Sequence, residues 1–536
     1  MTMRNRPARS RAVRLSRPGL WGAVALVATA VFTTMVTDVG PASAGTLLNG
    51  NGSSFAAPAV TQWDADVSHS PYSLSVNYTP SSSGQGRYEF TNETVDFAVS
   101  DTGYVNSSVG TTPPSFPYEF IPITAAGVAF MYNVPGLSQT LQLTSYTACL
   151  LLTGQITNWD DPALKLNGAN AAVTMPNLPV KPVTESDPAG TNYVLEEYCI
   201  DEQPAVWAQY AKNMSGTTPP SGVAISSTVP GSNWENPGNG YDEQTTPAVA
   251  STVANTPGAI GPVQENYAID SGFTGSNPAQ SVALVQNASS KFTKPSPVDV
   301  ASALAYATQQ ADGTHVLDFN GLGPNVYNPS TYSYLLTPTT GWSKAKGAVM
   351  SAFVNYVLTL GQQEAPKMNF ASLGLSLERY GIDHVIDDVP GAVSPTSAED
   401  QGYSCGDLTP TEVQAGQTTP TCGVTNGAAP PPPPGAPATA LTNGSTGAKT
   451  AAKATTTTTA KKASTTSAGS TGSFGGASTA ASGGADPSVA LPGTNPTRAM
   501  TGGNPAPTVV VGAILVVVGW AARRRLLMTR RVRRVE

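Results

Sequence analysis

The chain has 536 residues, a length that allows two to four domains. It contains 28 lysines and arginines and 35 aspartates and glutamates, which gives a net charge of −7. Residues 45–508 contain 15 of the basic residues and 33 of the acidic residues, so the net charge of this region is −18. Such an acidic region lacks the basic surface that nucleic-acid binding requires, so we expect no nucleic-acid partner.

Residues 1–44 have the three parts of a secretory signal peptide. Residues 1–20 carry six arginines and no acidic residue, an apolar run extends from Leu20 to about Val36, and Pro41-Ala42-Ser43-Ala44 follows. This pattern predicts export and cleavage after Ala44, the alternative being an uncleaved membrane helix.

Residues 45–395 alternate between strand and helix patterns. The predicted strands are Leu74–Thr79, Val95–Val99, Gly127–Tyr132, Val282–Val285 and Tyr332–Leu336. The predicted helices are Pro58–Val67, Thr144–Leu152, Asn192–Cys199, Pro297–Thr308 and Lys344–Leu360. The alternation predicts an α/β protein, and about 350 residues are too many for one compact core, so we expect two lobes.

Four cysteines in an exported chain favour disulfides over a metal or redox site. Cys405 and Cys422 are flanked by small and turn-forming residues and are predicted to close a small loop over residues 396–423. Cys149 and Cys199 then form the second pair by elimination, unless they are buried free thiols. The three histidines are isolated in sequence, so no metal site and no cofactor is expected.

The C-terminal part of the chain has the composition of a tether. Residues 424–507 are rich in Ala, Thr, Ser, Gly and Pro, which predicts a disordered stalk. Residues 508–536 contain 15 apolar residues followed by seven arginines, and a membrane span needs roughly 20 apolar residues. The segment is either a short membrane anchor or a wall-sorting tail, because Leu491–Asn495 and Ala499–Gly502 resemble degenerate sortase sites. Either option predicts a protein held at the extracellular side of the membrane or in the cell wall.

Three Gly/Ser-rich loops stand where strands lead into helices. They are GNGSSFAAP (residues 50–58), SSSGQGRYEF (residues 81–90) and ESDPAGTNY (residues 185–193). Free N–H groups and the positive end of the dipole make helix N-termini anion sites, and Ser and Thr hydroxyls add donors. One such loop alone indicates only a helix cap.

Seven segments in a fixed order carry a resemblance to a known family. They are the three loops together with TVDFAVSD (94–101), GQITNWDDPAL (154–164), GAIGPVQENYA (258–268) and YNPSTYSYLL (327–336). Over about residues 47–375 the chain resembles the periplasmic phosphate-binding proteins. The resemblance implies a two-lobed type II (venus-flytrap) periplasmic-binding-protein fold, with lobe one at about 45–125 and 285–395 and lobe two at about 126–284.

The resemblance also implies a set of ligand-binding residues. The phosphate contacts of the first loop fall on Ser54 and Phe55, and those of the second loop on Ser82 with Ser83 beside it. The carboxylate that accepts the proton of a protonated phosphate falls on Asp101, which would select against sulfate. The helix N-terminus of the third loop falls on Gly190 and Thr191.

Two positions depart from the family pattern. The arginine that clamps phosphate falls on Glu185, and a serine donor falls on Ala189. Losing a bidentate charge-assisted pair removes roughly 3–6 kcal/mol, or two to four orders of magnitude in affinity at about 1.4 kcal/mol per tenfold. We expect Arg87 to be a solvated helix residue, although it could pair with Glu185 or reach the ligand. Otherwise Glu185 turns outward, or the ligand is neutral or cationic.

Solute capture is the function that the sequence favours most. The ligand would be phosphate or another small solute, and import would need separate ABC permease and ATPase subunits, because the chain has no Walker motif. The alternative is a tethered surface module with altered or lost ligand binding. An enzyme is not expected, since Asp160 and Asp161 resemble a turn and helix cap more than a catalytic pair.

Overall fold

The computed structural model describes residues 45–217, 221–400, 402 and 406–419. The predicted signal peptide, the Cys405–Cys422 pair, the stalk and the C-terminal tail lie outside the described residues, so these assignments stay predictions. Within the described ranges, no helix combines the length and the apolar character needed to cross a membrane.

The described residues form a mixed α/β structure, as predicted. The strands are β1 (Leu47–Ser53), β2 (Ser75–Ser81), β3 (Phe97–Ser100), β4 (Tyr118–Asn133), β5 (Gln142–Leu143), β6 (Lys181–Glu185), β7 (Tyr241–Glu243), β8 (Ala259–Gln264), β9 (Gln280–Val282), β10 (Leu284–Gln286), β11 (Phe292–Thr293), β12 (Thr308–Gln309), β13 (His315–Val316) and β14 (Ser330–Pro338). The α-helices are α1 (Ala57–Val67), α2 (Ser83–Thr91), α3 (Ser145–Leu152), α4 (Gly190–Glu202), α5 (Pro204–Met214), α6 (Thr246–Asn255), α7 (Glu265–Asp270), α8 (Pro297–Leu304), α9 (Lys344–Val357), α10 (Leu360–Glu364), α11 (Leu375–Asp388), α12 (Ser397–Asp400) and α13 (Pro410–Gln414). Two 3₁₀ helices cover Pro162–Gly168 and Ala365–Met368.

The main sheet has two parts that share the long strand β4. The strand order is β2-β1-β3-β14-β4-β8-β6-β7, and β9 also pairs with β4. Residues 118–127 of β4 pair with β14, whereas residues 128–133 pair with β8. This division gives the two-lobed arrangement that the sequence predicts, with β1 to β3 on one side of β4 and β6 to β8 on the other.

Most predicted elements are present. However, the strand predicted at Gly127–Tyr132 begins at Tyr118, the strand predicted at Val282–Val285 is divided between β9 and β10, and two predicted helix C-termini are wrong. The helix predicted to run to Thr308 stops at Leu304, because Thr308–Gln309 pairs with β13 in a hairpin around Asp312-Gly313, where Gly313 has φ +84°. The helix predicted to run to Leu360 is interrupted after Val357, and a second helix begins at Leu360. Its apolar stripe is nevertheless buried as expected.

The β1–α1 turn is shaped by a close approach of two strands. Gly52 has φ +145°, and a Cβ on it would lie 2.0 Å from the carbonyl oxygen of Val99 on β3. A side chain is therefore excluded at this position, and only glycine lets β1 run alongside β3 to its end. Strand β1 ends at Ser53, and the turn that follows carries Ser54 and Phe55.

The predicted disulfide between Cys149 and Cys199 is confirmed, so these residues are not free thiols. It joins α3 to α4 with a Cα–Cα distance of 5.8 Å and a sequence separation of 50. Asp161 is also confirmed as a cap, because its side chain accepts from the backbone N–H of Ala163 at 2.8 Å.

Replacing both Cys149 and Cys199 by Ala should lower the free energy of unfolding by about 4 kcal/mol, since the 50-residue loop then adds its full chain entropy to the unfolded state. Urea denaturation of the two proteins without reductant measures this difference and leaves the other cysteines unchanged. A loss below about 1 kcal/mol would contradict the assignment of a stabilising cross-link.

Candidate functional site

The residues predicted to bind ligand converge on one pocket. It is lined by Ser53, Ser54, Phe55, Ser82, Ser83, Asp101, Glu185, Ala189, Gly190, Thr191 and Thr246. All seven predicted ligand-binding residues are in this set, as are Glu185 and Ala189. Their separate positions in the sequence are brought together by the ends of β1, β2, β3 and β6.

The first loop supplies Ser54 and Phe55 between β1 and α1. The Ser54 hydroxyl accepts from the backbone N–H of Thr246 at 3.1 Å, and its carbonyl accepts from the Tyr267 hydroxyl at 2.7 Å. Both partners lie on helices, α6 and α7, that pack against β8, so this loop contacts the other side of the cleft. Phe55 is buried and forms an apolar wall of the pocket.

The second loop supplies Ser82 and Ser83 at the start of α2. Ser82 caps the helix, because its hydroxyl accepts from the backbone N–H of Gln85 at 3.2 Å. Ser83 bonds Asp101 in both directions: its hydroxyl donates to Oδ2 at 3.0 Å and accepts from the Asp101 N–H at 3.1 Å. The turn that caps α2 therefore also forms one wall of the pocket.

Asp101 follows β3 and is buried at the base of the pocket. Besides Ser83, Ser53 donates to Oδ2 at 2.7 Å and Ser333 donates to Oδ1 at 2.6 Å. Burial raises the pKa of Asp101, while the three serine hydroxyls and the charge of Arg87 lower it.

The third loop carries Glu185 at the end of β6 and Thr191 in the first turn of α4. Glu185 is 1% exposed and lines the pocket, so the alternative in which it turns outward is wrong. Its carboxylate accepts from the hydroxyls of Thr191 and Thr246. Burial raises the pKa of Glu185 to about 7; the two threonine hydrogen bonds lower it, and the charges of Asp101 and Asp187 add to the rise.

The start of α4 packs against the opposite wall of the cleft. A Cβ on Gly190 would lie 2.7 Å from Asp101 Oδ2 and 2.8 Å from Ser83 Oγ, so only glycine allows this approach. Ala189 occupies the N-cap position and makes no side-chain cap bond. The Gly84 N–H donates to the Pro188 carbonyl at 2.8 Å, which adds a second contact across the cleft.

Arg87 is neither a solvated helix residue, as we expected, nor a partner of Glu185. Its side chain is 0% exposed; Nε donates to the Gly110 carbonyl at 3.0 Å and a terminal nitrogen donates to the Ser100 hydroxyl at 2.8 Å. The guanidinium also lies 5.9 Å from the centre of the Tyr104 ring. Desolvation lowers the pKa of Arg87 to about 10, so it stays charged at neutral pH behind Asp101 and outside the pocket lining.

Three pocket contributors were missed by the sequence reasoning. Ser53 adjoins a predicted residue, and Ser333 lies in a segment that carried the family resemblance without an assigned role. Thr246 begins α6, and the Thr245-Thr246-Pro247 pattern at that point signals a helix start. Such a signal identifies the element but gives no indication of the distant glutamate that the threonine contacts.

Comparison with known proteins identifies the family. A family model described as a PBP superfamily domain matches residues 39–359. The phosphate-binding protein PstS of Xylella fastidiosa is 25% identical over 332 residues, which cover 61% of this chain and 81% of that protein. Phosphate-binding protein PstS 3 of Mycobacterium leprae is 29% identical over 153 residues, 28% of this chain and 41% of that protein.

A solved structure gives a more distant match. The X-ray structure of a phosphate-binding protein from Stenotrophomonas maltophilia has 18% sequence identity and a TM-score of 0.47, covering 65% of this chain and 96% of that one. The relatives are named as binding proteins, in agreement with the prediction that this chain is not an enzyme. Because the family model covers more than half of the sequence, the chain belongs to the PBP superfamily.

Proposed function

We propose that the protein is an extracytoplasmic solute-binding protein whose pocket captures inorganic phosphate or a related small oxyanion for ABC-type import. The observation that carries the proposal is the convergence of Ser54, Ser82, Ser83, Asp101 and Thr191 on one buried pocket. The phosphate-binding names of the curated relatives support the same ligand class.

The pocket chemistry fits a small, partly protonated oxyanion. Hydroxyl groups donate to oxygen acceptors without adding bulk, and the first turns of α2 and α4 supply the positive ends of two helix dipoles. Asp101 can accept the proton of a protonated phosphate but would face only lone pairs on sulfate. Phosphate is therefore the oxyanion that this set of groups favours.

Transport would require partners that the chain does not contain. Import needs a separate permease and ATPase, and the predicted signal peptide and C-terminal tail would hold the binding domain outside the membrane or in the cell wall. These partners and this location are part of the proposal.

A tethered surface module with weak or lost ligand binding is the second candidate function. The position of Glu185 favours it, because its carboxylate occupies the Thr191 and Thr246 hydroxyls that face the pocket. A buried carboxylate in this place also repels an incoming anion.

Phosphate should raise the melting temperature of the full chain, because a ligand that binds only the folded state stabilises it. At 100 times the dissociation constant the gain is about 2.7 kcal/mol. Melting in phosphate, sulfate, a phosphonate and a neutral sugar, at matched ionic strength, measures the effect. No shift with any oxyanion at either pH 5.5 or pH 8.5 would reject solute capture in favour of the surface module.

Replacing Asp101 by Asn should reduce the preference for phosphate over sulfate by at least about tenfold, since an unmatched buried polar contact costs about 1–3 kcal/mol. The amide group can donate to sulfate, whereas the carboxylate cannot. Calorimetric titration with both anions gives the ratio of dissociation constants. Asp160→Asn, which changes an exposed carboxylate, is the matched control; an unchanged ratio in Asp101→Asn would refute the assigned role.

A further inference from the structure

Glu185 stands where three hydroxyls from three separate elements meet. Thr191 Oγ1 donates to Oε2, Thr246 Oγ1 donates to Oε1 at 3.2 Å, and Ser54 Oγ makes a longer contact of 3.5 Å with Oε1. Thr191 comes from the first turn of α4, Thr246 from the first turn of α6, and Ser54 from the turn before α1.

The N-termini of α4 and α6 both lie next to the Glu185 carboxylate and stabilise its negative charge. Helices α4 and α6 have 13 and 10 residues, and each places a threonine of its first turn against Glu185. The positive end of a helix dipole stabilises a negative charge within about one turn. A carboxylate has two negatively charged acceptor oxygens, which is the chemistry that an oxyanion ligand would offer to these donors.

No cation takes part in this arrangement among the described residues. The titratable groups that face Glu185 are Asp101 and Asp187, which raise its pKa, and the Tyr267 hydroxyl. The guanidinium of Arg87 donates from Nε to the Gly110 carbonyl and from one terminal nitrogen to the Ser100 hydroxyl, and it lies outside the pocket lining. The hydroxyls and helix ends are therefore the groups that stabilise the negative charge of Glu185.

We propose that the Glu185 carboxylate is a built-in competitor for the ligand: it occupies the hydroxyl donors of the pocket, and an external oxyanion binds well only when Glu185 is neutral. The inference rests on the proposed function and names the residue that sets its affinity. A neutral glutamic acid can donate a hydrogen bond to an anion, whereas the ionised form repels it and keeps the threonine hydroxyls.

The proposal makes ligand binding depend on pH in a stated direction. Burial raises the pKa of Glu185 to about 7. Below that pH the residue is protonated and compatible with an anion; above it, the ionised fraction grows and competes. Binding by the unsubstituted protein should therefore weaken as pH rises from about 6 to about 8, beyond any change caused by the titration of the ligand itself.

The decisive variant is Glu185→Gln, which keeps the shape of the side chain and removes its charge. Inorganic phosphate is titrated calorimetrically into the full-length protein and the variant at pH 5.5 and pH 8.5. At pH 8.5 the variant should bind phosphate at least about tenfold more tightly than the unsubstituted protein, because the charge repulsion is gone. At pH 5.5 the two should agree within about threefold, since both side chains are then neutral. The ratio of the two dissociation constants cancels the titration of phosphate.

Asp187→Asn is the matched control. Asp187 is a neighbouring, partly buried carboxylate that acts on Glu185 through its charge and lies outside the pocket lining. It should change phosphate affinity far less than Glu185→Gln. If both variants gained the same phosphate affinity, the proposal that Glu185 competes for the threonine hydroxyls would be refuted. The gain would then be a general effect of removing one negative charge.

The remaining outcomes separate this inference from the proposed function. If phosphate binds equally well to the unsubstituted protein and to Glu185→Gln at both pH values, the built-in competitor is rejected and the solute-binding function stands. If neither binds any oxyanion at either pH, both are rejected. Thermal melting confirms that the variant is folded; should it not fold, Glu185→Ala replaces it, with the same expected gain at pH 8.5.

Discussion

Two buried carboxylates in one pocket, those of Asp101 and Glu185, are the constraint on which the site depends. Each is stabilised by three hydroxyl groups, whereas the positive charge nearest to Asp101, on Arg87, stands outside the pocket lining. Moving an ionised carboxylate out of water is costly unless hydrogen bonds replace its hydration. The hydroxyls supply that replacement, and the fold must therefore bring turns from both parts of the sheet to the same point.

The fold meets this requirement through close backbone approaches. Gly52 lets β1 end beside β3, and Gly190 lets the start of α4 reach Asp101 without a steric clash. Across the cleft, the Ser108 N–H donates to Asn233 Oδ1 at 2.7 Å, and Asn233 Nδ2 donates to the Ser108 hydroxyl at 3.1 Å. Direct contacts between loops on the two sides of the cleft thus hold the pocket walls at hydrogen-bonding distance. An external ligand must therefore either fit among the hydrogen bonds that the pocket residues make with one another or replace some of them.

The fold class and most elements were predictable because each has a local signature: period-two strands, capped helices and Gly/Ser turns. The seven predicted ligand-binding positions came instead from the resemblance to the phosphate-binding proteins, and the structure places all seven around one pocket. The missed contributors lack one. Ser333 lies in the middle of a buried strand, and Thr246 is 61 positions from the glutamate that it contacts. The burial of Arg87 was mispredicted because the sequence near a residue indicates that it lies on a helix. It does not show which distant segments of the chain pack against that helix. The direction of the Glu185 side chain depends on three elements at once, so no single segment encodes it.

A hydroxyl-lined site differs from an arginine-clamped one in a way that explains why Glu185 is tolerated. A guanidinium carries a permanent charge, attracts any anion and cannot accept a hydrogen bond. A hydroxyl carries no charge, so an internal carboxylate and an external oxyanion are equivalent acceptors for it. The choice between them is then decided by protonation and by local concentration, and Glu185 is always present at the site. In a region with a net charge of −18 no long-range attraction favours the external anion. Selectivity in such a pocket must therefore arise from short-range contacts, above all from which of the two buried carboxyl groups carries a proton.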